Sequence, residues 1–226
     1  MHLSVLEAAH VLKIPENHVY RLIEEGQLPC YWVNDQARLN RTELLEWATA
    51  RRMFISTELF NDSDKQTQQL PMLTDALMLG GIHYQITGSD RESVLHSVVS
   101  ILQLPEDVDR EMLLQILLAR ESAGSTAVGD GIAIPHVRQP IAVNGDGLTS
   151  MALCFLASPI QMGNKPVEKV HTLFVMVTPN VRRHLQLLAR LATALRDEQF
   201  KACVLARHDP QSILQHTRRL DAIITS

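Results

Sequence analysis

The 226-residue chain has little cysteine. Its three cysteines, Cys30, Cys154 and Cys203, are far apart in the sequence and odd in number. Such spacing excludes a disulfide framework and a zinc-ligand pattern, and it is typical of a protein from a reducing cytosol. We therefore expect all three to be small buried residues. Apolar residues make up 46% of the chain, which is an ordinary supply for a globular core.

The chain also has no large excess of one charge and no long hydrophobic run. Its net charge of −4 gives no general attraction to nucleic acid or to an anionic membrane. Apolar runs such as Thr172–Val177 have the length of a strand, whereas spanning a bilayer takes about 20 residues. The start, Met1–Glu7, has no basic segment followed by an apolar one, as a signal peptide would. These absences predict a cytoplasmic protein.

A change of composition near Ser56 predicts two domains. The stretch Asn61–Gln69 is polar and has no periodic apolar positions, which is typical of a linker. We expect a small domain over residues 1–55, a linker over 56–71 and a larger domain over 72–226.

The first domain is predicted to consist mainly of short helices. Ser4 followed by Glu7 is a capping-box pattern, and Gly26 fits the end of a second helix. Residues 29–39 look extended or hairpin-like, and Thr42 is expected to cap a third helix. This order of elements is that of a winged helix-turn-helix.

The segments Leu3–Ala9 and Val19–Pro29 resemble the excisionase-type DNA-binding domain, a relative of the mercury-regulator family. That resemblance implies DNA contacts from the second helix, through Asn17, His18 and Arg21. Residues 1–55, however, carry six basic and seven acidic side chains, whereas most DNA-binding modules are net basic. The alternative is a helix-turn-helix that contacts protein or forms a dimer.

The larger domain shows strands interleaved with helices, which predicts an α/β layer fold. Buried strands are recognised by dense β-branched and aliphatic residues, and helices by apolar positions at helical spacing. Asp90 or Ser89 is expected to cap the second helix of this domain, 91–104. The predicted helices are 74–79, 91–104, one within 105–120, 183–195, 199–206 and 209–216, and the predicted strands are 132–134, 149–156 and 171–177.

The most informative stretch is Gly124–His136, a loop of small residues followed by a short apolar run, a proline and a histidine. Glycine allows the backbone to approach an anion closely, and an imidazole beside such a cradle suits a transient phosphohistidine. The loop lacks the Lys-Ser/Thr pair of a nucleotide-binding P-loop. No carboxylate or cysteine stands at ligand spacing to the histidines, so we expect neither a metal nor another cofactor.

Two blocks, Arg120–His136 and Pro179–Leu191, resemble enzyme IIA of the sugar phosphotransferase system. The similarity is to the fructose/mannitol type, which includes nitrogen-regulatory relatives, and runs from about Leu73 to Ile224. It implies a mixed β-sheet flanked by helices. It also implies catalytic roles for His136, His184 and Arg120, and phosphate-binding roles for Ser125, Thr126, Gly129 and Gly131.

Several of these residues have a structural alternative. Arg120 offers a planar fork for phosphate oxygens, but it equally suits the C-terminal end of its own helix. His184 would donate a hydrogen bond to the phosphoryl group, or it is a surface histidine. We expect the two glycines to act through turn geometry and His171 to be structural. The family often has Asp-Gly-Lys-Pro-Val where this chain has Met162–Val167, a departure that concerns partner contacts.

The resemblance implies a phosphotransferase that accepts phosphate on His136 from a phosphocarrier protein similar to HPr. Because the sequence contains no sugar-permease segment, we expect a regulatory, nitrogen-type role. Two alternatives remain open: a DNA-binding transcriptional regulator controlled by phosphorylation, and an IIA component that feeds a separate fructose/mannitol-type permease.

Overall fold

The structure is a computed structural model, and it divides the chain into two compact units, Met1–Gln69 and Leu70–Ser226. Most of the predicted linker and most of the loop 162–167 lie outside the described residues. Among the described residues, no helix has both the length and the apolar character needed to cross a bilayer. The described residues are 2–33, 36–51, 53, 71–106, 108–137, 149–162 and 169–225.

In its described residues, the first unit pairs a small antiparallel sheet with three helices. The sheet has the order β1-β3-β2, so the final strand of the hairpin lies between the other two. The predicted hairpin is thereby confirmed, whereas β1 was not foreseen because three residues carry too little pattern. The elements are β1 (His2–Ser4), α1 (Val5–Leu12), α2 (Glu16–Glu24), β2 (Tyr31–Val33), β3 (Gln36–Asn40) and α3 (Arg41–Ala50).

The capping box at the start of α1 is confirmed. The Glu7 carboxylate accepts from the Ser4 amide at 2.7 Å and from the Ser4 hydroxyl at 2.8 Å, and the Glu7 amide donates to Ser4 Oγ at 3.2 Å. At the end of α2, Gly26 has a positive φ of 67°, and the Gln27 amide donates back to the Leu22 carbonyl at 2.9 Å. This is the glycine-terminated helix end that the sequence predicted.

The predicted cap of the third helix is wrong. Asn40 Oδ1 accepts from the amides of Thr42 and Glu43 at 2.9 and 3.3 Å, so Asn40 is the cap of α3. Thr42 already lies inside the helix. The physical reason is that asparagine caps at least as well as threonine and stands two residues earlier, where β3 ends.

The second unit is a five-stranded mixed sheet with helices on both faces, as the sequence predicted. The strand order is β4-β7-β8-β6-β5. β4 runs parallel to β7 and β6 runs parallel to β8, while β7–β8 and β5–β6 are antiparallel pairs. The elements are α4 (Leu73–Gly80), β4 (Ile82–Ile86), α5 (Arg91–Ile101), α6 (Arg110–Ala123), β5 (Ala127–Gly129), β6 (Ile132–Ala133), β7 (Ser150–Ile160), β8 (Val170–Val177), α7 (Val181–Ala194), α8 (Glu198–Leu205) and α9 (Pro210–Thr225).

Each face of this sheet has its own apolar core. Along β7, Leu153 and Phe155 pack on one side, where α4, α7, α8 and α9 contribute residues such as Leu187. The alternate residues Ala152 and Cys154 pack on the other side with α5 and α6. The side chains alternate because successive residues of a strand point to opposite faces. Burial on both faces explains why β7 and β8 are almost wholly apolar.

In this unit, aspartates cap α5 and α6, and the observed helix ends differ from the predicted ones. Asp90 caps α5 by accepting from the Ser93 amide at 2.8 Å, as expected. The helix then ends at Ile101, and the Arg110 guanidinium donates to the Leu102 carbonyl at 2.9 Å. The helix predicted within residues 105–120 begins at Arg110, because Asp109 supplies its cap, and it continues to Ala123.

The pairing of β6 with β8 decides where the two sequence blocks, Arg120–His136 and Pro179–Leu191, meet. Parallel strands have their carboxyl ends at one edge of the sheet. His136 follows β6, and a parallel bridge joins it to Met176 in β8. The next helix, α7, begins four residues after β8 ends. The two sequence blocks therefore reach the same edge.

Candidate active site

His136 is held by the backbone around it. The Met176 amide donates to the Pro135 carbonyl at 3.2 Å, and the imidazole Nδ1 lies 2.6 Å from the Ile134 carbonyl oxygen. A carbonyl only accepts hydrogen bonds, so this contact requires the proton on Nδ1. The neutral ring then carries its lone pair on Nε2. Nε2 is thus the ring nitrogen on which the lone pair is placed by this contact.

His184 lies against this imidazole. The two ring centroids are 4.9 Å apart and the ring planes are inclined by 39°. Asn180 caps α7 by accepting from the Arg183 amide at 2.8 Å, which places His184 in the first turns of the helix. Its side chain is 2% exposed, so the alternative of a surface histidine is wrong. The two histidines that the resemblance assigned to the site therefore lie side by side.

Arg120 lies in the last turn of α6 and contacts the loop that follows. Its Nη1 donates to the Gly124 carbonyl at 2.8 Å. Arginine at a helix end binds carbonyls that have no partner inside the helix, and it complements the helix dipole. The structure thus shows the capping role that the sequence analysis gave as the alternative to phosphate binding.

The loop residues Ser125 and Thr126 have partners of their own. Ser125 Oγ accepts from the Ala127 amide at 3.2 Å. The Thr126 amide donates to both carboxylate oxygens of Glu121, at 3.2 and 3.0 Å, and its hydroxyl donates to Oε2 at 2.6 Å. Both donor hydrogens of Thr126 are used by Glu121, so a contact with a phosphoryl oxygen would require one of these bonds to break.

Gly129 and Gly131 lie at the other end of β6 from His136. The two residues between the paired Gly129 and Ile132 are Asp130 and Gly131, with φ of 51° and 69°. Positive φ at both central positions is the requirement of a type I′ hairpin, for which Asp-Gly is a favoured pair. A Cβ on Gly131 would come within 2.3 Å of His171 Nε2. The glycines therefore shape the hairpin, at the end of β6 that is away from His136.

Comparison with known proteins decides the family. The family model for the phosphoenolpyruvate-dependent sugar phosphotransferase system, EIIA 2, matches residues 78–219, well over half of the chain. The chain belongs to the EIIA 2 family. A phosphoryl-transfer component was the sequence prediction, and this membership confirms it.

Two curated relatives carry different names, one regulatory and one sugar-specific. A nitrogen regulatory protein of Pseudomonas aeruginosa is 32% identical over 114 residues, which are 49% of this chain and 71% of that protein. A fructose-specific EIIABC component of the phosphotransferase system from Bacillus subtilis is 26% identical over 145 residues, 63% of this chain. The matched part is only 22% of that second, much longer protein.

Two solved structures share the EIIA 2 fold. The nitrogen regulatory protein IIA-Ntr from Neisseria meningitidis has a TM-score of 0.52 at 19% identity, over 64% of this chain and 98% of that one. The mannitol IIA protein from Escherichia coli has a TM-score of 0.50 at 20% identity, over 60% of this chain and 94% of that one. These likenesses confirm the predicted mixed sheet flanked by helices.

Outside the EIIA 2 domain, a helix-turn-helix family model matches residues 3–52. Of the three residues predicted to contact DNA, Asn17 and His18 lie in the first turn of α2 and Arg21 lies in its last turn. Asn17 and Arg21 are exposed and stand four residues apart, on one face of the helix, while His18 is half-buried. Arg21 Nε also lies 3.9 Å from a Glu25 carboxylate oxygen.

The two cysteines of the EIIA 2 domain, Cys154 and Cys203, are poor nucleophiles. Cys154 is fully buried in the sheet, and burial raises the pKa of its thiol to about 12. Burial also raises the pKa of the Cys203 thiol. Both match the expected small buried residue, whereas Cys30, in the first unit, is only half-buried. A thiol with a raised pKa is a poor nucleophile at neutral pH.

Proposed function

We propose that the EIIA 2 domain accepts a phosphoryl group on Nε2 of His136. The observation that carries this proposal is the 2.6 Å contact between His136 Nδ1 and the Ile134 carbonyl, which leaves the lone pair on Nε2. The acceptor is thus oriented before the donor arrives, and such positioning is a large part of catalysis in phosphoryl transfer.

The donor is a phosphohistidine of a phosphocarrier protein, itself charged from phosphoenolpyruvate. In the step, the lone pair of His136 Nε2 attacks phosphorus as the P–N bond of the donor breaks. The donor imidazole keeps the electron pair of that bond, and His136 becomes the phosphohistidine. No water takes part, so the phosphoryl group is conserved for the next acceptor.

His184 and Arg120 are the groups that would stabilise the transferred charge. The ring of His184 is adjacent to that of His136, and a ring N–H aimed at a phosphoryl oxygen would hold it. Arg120 has five guanidinium donors, so the contact of Nη1 with Gly124 is compatible with a phosphate contact from another nitrogen. Ser125 lies in the same loop and offers a hydroxyl.

We place this carrier in a regulatory role in the cytoplasm. The relatives named nitrogen regulatory protein and the helix-turn-helix match support this placement. The first unit would then bind DNA through Asn17, His18 and Arg21, or bind a regulated protein, according to the phosphorylation state. A second candidate is an IIA component that passes phosphate to a separate sugar permease, which the fructose-specific relative favours.

The test is transfer of labelled phosphate from phosphoenolpyruvate through the two general phosphotransferase proteins. We expect acid-labile label on the wild type and no label on His136→Ala, because the alanine variant lacks the acceptor atom. His96→Ala, which removes an exposed histidine of α5, is the matched control and should label normally. Equal label on wild type and His136→Ala would contradict the proposal and make His184 the next suspect.

The fate of the label separates the regulatory role from the transport role. A sensor keeps its phosphate until hydrolysis, and its binding to DNA or protein changes on phosphorylation. A transport component loses the label to a sugar-specific acceptor protein within the time of the assay.

A further inference from the structure

Glu121 is a buried carboxylate that the proposed transfer step does not use. It lies in the last turn of α6, directly after Arg120, and its side chain is 1% exposed. A negative charge at this position is opposed twice, by burial and by the negative end of the helix dipole. A neutral side chain would pack there at lower cost, so the carboxylate needs an explanation beyond packing.

Its contacts lead to the nucleophile in three steps. The carboxylate accepts from the amide and the hydroxyl of Thr126, with a shortest distance of 2.6 Å to the hydroxyl. The carbonyl of the same residue, Thr126, accepts from the Ile134 amide at 3.0 Å. The carbonyl of Ile134 then accepts from His136 Nδ1 at 2.6 Å.

We propose that Glu121 is a positioning residue that fixes the ring orientation and the tautomer of His136 through Thr126 and Ile134. The proposal rests on the proposed role of His136 as phosphoryl acceptor. Glu121 does not need to touch the phosphoryl group. Glu121 holds Thr126, whose carbonyl accepts from the Ile134 amide. It thereby orients the Ile134 carbonyl, which keeps the imidazole proton of His136 on Nδ1.

A carboxylate suits this role because both of its oxygens only accept hydrogen bonds. Thr126 presents two donors to it, an amide and a hydroxyl. The amide group of a glutamine would offer one oxygen and one NH₂, and the NH₂ would face a donor. Glu121→Gln therefore keeps the size of the side chain and disturbs the first link of the chain. Glu111→Gln is the matched control, because Glu111 is an exposed carboxylate of the same helix.

The first measurement is the tautomer of the His136 ring, read from ¹⁵N chemical shifts of protein that carries no phosphate. We expect wild type and Glu111→Gln to show the proton on Nδ1, and Glu121→Gln to show a mixture of tautomers. In the transfer assay, we expect Glu121→Gln to accept label about 10- to 100-fold more slowly, the usual effect of losing a partner that orients a functional imidazole. Glu111→Gln should keep the wild-type rate.

Thr126 provides the second pair of variants, in case Glu121→Gln does not fold. Thr126→Ser keeps the amide and the hydroxyl and should retain the wild-type tautomer and rate. Thr126→Val removes the hydroxyl at similar size and should lose part of both. A folded Glu121→Gln with the wild-type tautomer and rate overturns the proposal, and so does a Thr126→Val indistinguishable from Thr126→Ser.

Failure of this proposal differs from failure of the proposed function. If His136 of the wild type takes no label from any donor tested, the carrier role fails. The ring tautomer is measured without phosphate, so it still shows whether Glu121 orients His136.

Discussion

One bonding pattern, a carboxylate that accepts from the amide and the hydroxyl of the same residue, occurs both in solvent and in the interior of this chain. In the first unit, Glu7 accepts from the amide and the hydroxyl of Ser4. In the EIIA 2 domain, Glu121 accepts from the amide and the hydroxyl of Thr126. Glu7 is exposed and Glu121 is buried. Water replaces a broken bond only at Glu7, so the same bonds are easily exchanged there and firmly kept at Glu121.

A third carboxylate extends the comparison to a buried ion pair. Asp221 in α9 lies 3.1 Å from the Arg190 guanidinium of α7, and both side chains are buried. Asp221 also accepts from the amides of Leu73 and Thr74 at 3.0 and 2.9 Å, at the start of α4. These bonds join three helices that are far apart in sequence. The Asp221 network therefore supports stability, whereas Glu121 organises one loop beside the site.

Asp221→Asn should have the largest effect on stability. It leaves the Arg190 guanidinium buried without its counter-charge, which costs about 3–5 kcal/mol. Chemical denaturation measures the loss, and the transfer rate of the folded protein should change little. In the double variant Asp221→Asn/Arg190→Met, part of the loss should return. If the double variant loses the sum of the two single losses, the pair is not coupled.

Glu121→Gln should lower the free energy of unfolding less, by about 1–3 kcal/mol, because one hydrogen-bonded donor of Thr126 loses its acceptor. The transfer rate should fall more than in Asp221→Asn, although the stability falls less. This opposite ranking of stability and rate is the sharpest form of the comparison. Chemical denaturation and labelled-phosphate transfer, each measured for Glu121→Gln and Asp221→Asn under one set of conditions, check it. A stability loss without a rate loss would make Glu121 a purely structural residue.

Ser4→Ala should cost about 1 kcal/mol, since it removes the exposed version of the same bond from the start of α1. The transfer rate should not change, because the variant lies outside the EIIA 2 domain. Thermal unfolding followed by circular dichroism measures the effect. A loss as large as that of Glu121→Gln would show that burial does not set the strength of this pattern.

The smallest effect is a pH dependence. Hydrogen bonds from the Ser4 amide and hydroxyl hold the pKa of the Glu7 carboxyl below its ordinary value of 4.5. A lowered pKa stabilises the folded state above pH 4.5, and this contribution is lost as the pH falls through the folded-state pKa. Stability should therefore decline slightly more on acidification in wild type than in Ser4→Ala. Equal slopes would show that the box contributes no proton linkage.

Sequence reasoning predicted the elements whose signals are local. The capping box at Ser4, the helix cap at Asp90 and the apolar strands β7 and β8 needed no knowledge of distant partners. The short strands β1, β4 and β5 were missed. In β4 the pairing register shifts and Gln85 has a positive φ of 58°, so no regular alternation was available. In β5 the small residues were interpreted as an anion loop, although Asp130-Gly131 is a hairpin signal.

The arrangement of the candidate site was predicted only in part, because some of its contacts join residues that local sequence signals do not connect. The resemblance supplied His136 and His184, and the parallel pairing of β6 with β8 brings them together. The sequence analysis interpreted the hydroxyl of Thr126 as a hydrogen-bond donor to phosphate. In the structure this hydroxyl donates to Glu121, a contact that the sequence does not show because it depends on where α6 ends. Glu121 lies inside the block Arg120–His136, and its only sequence signal is that a charged residue stands on the buried side of an amphipathic helix.

The hydrogen bonds that link Glu121 to the imidazole of His136 lie between residues 121 and 136. Closing such a short loop costs little chain entropy, so these bonds re-form readily after a local opening. His184 arrives by a longer route, through β8 and the start of α7. The link from Glu121 to His136 is thus local in the chain, while the contact between His136 and His184 depends on the assembly of the whole sheet.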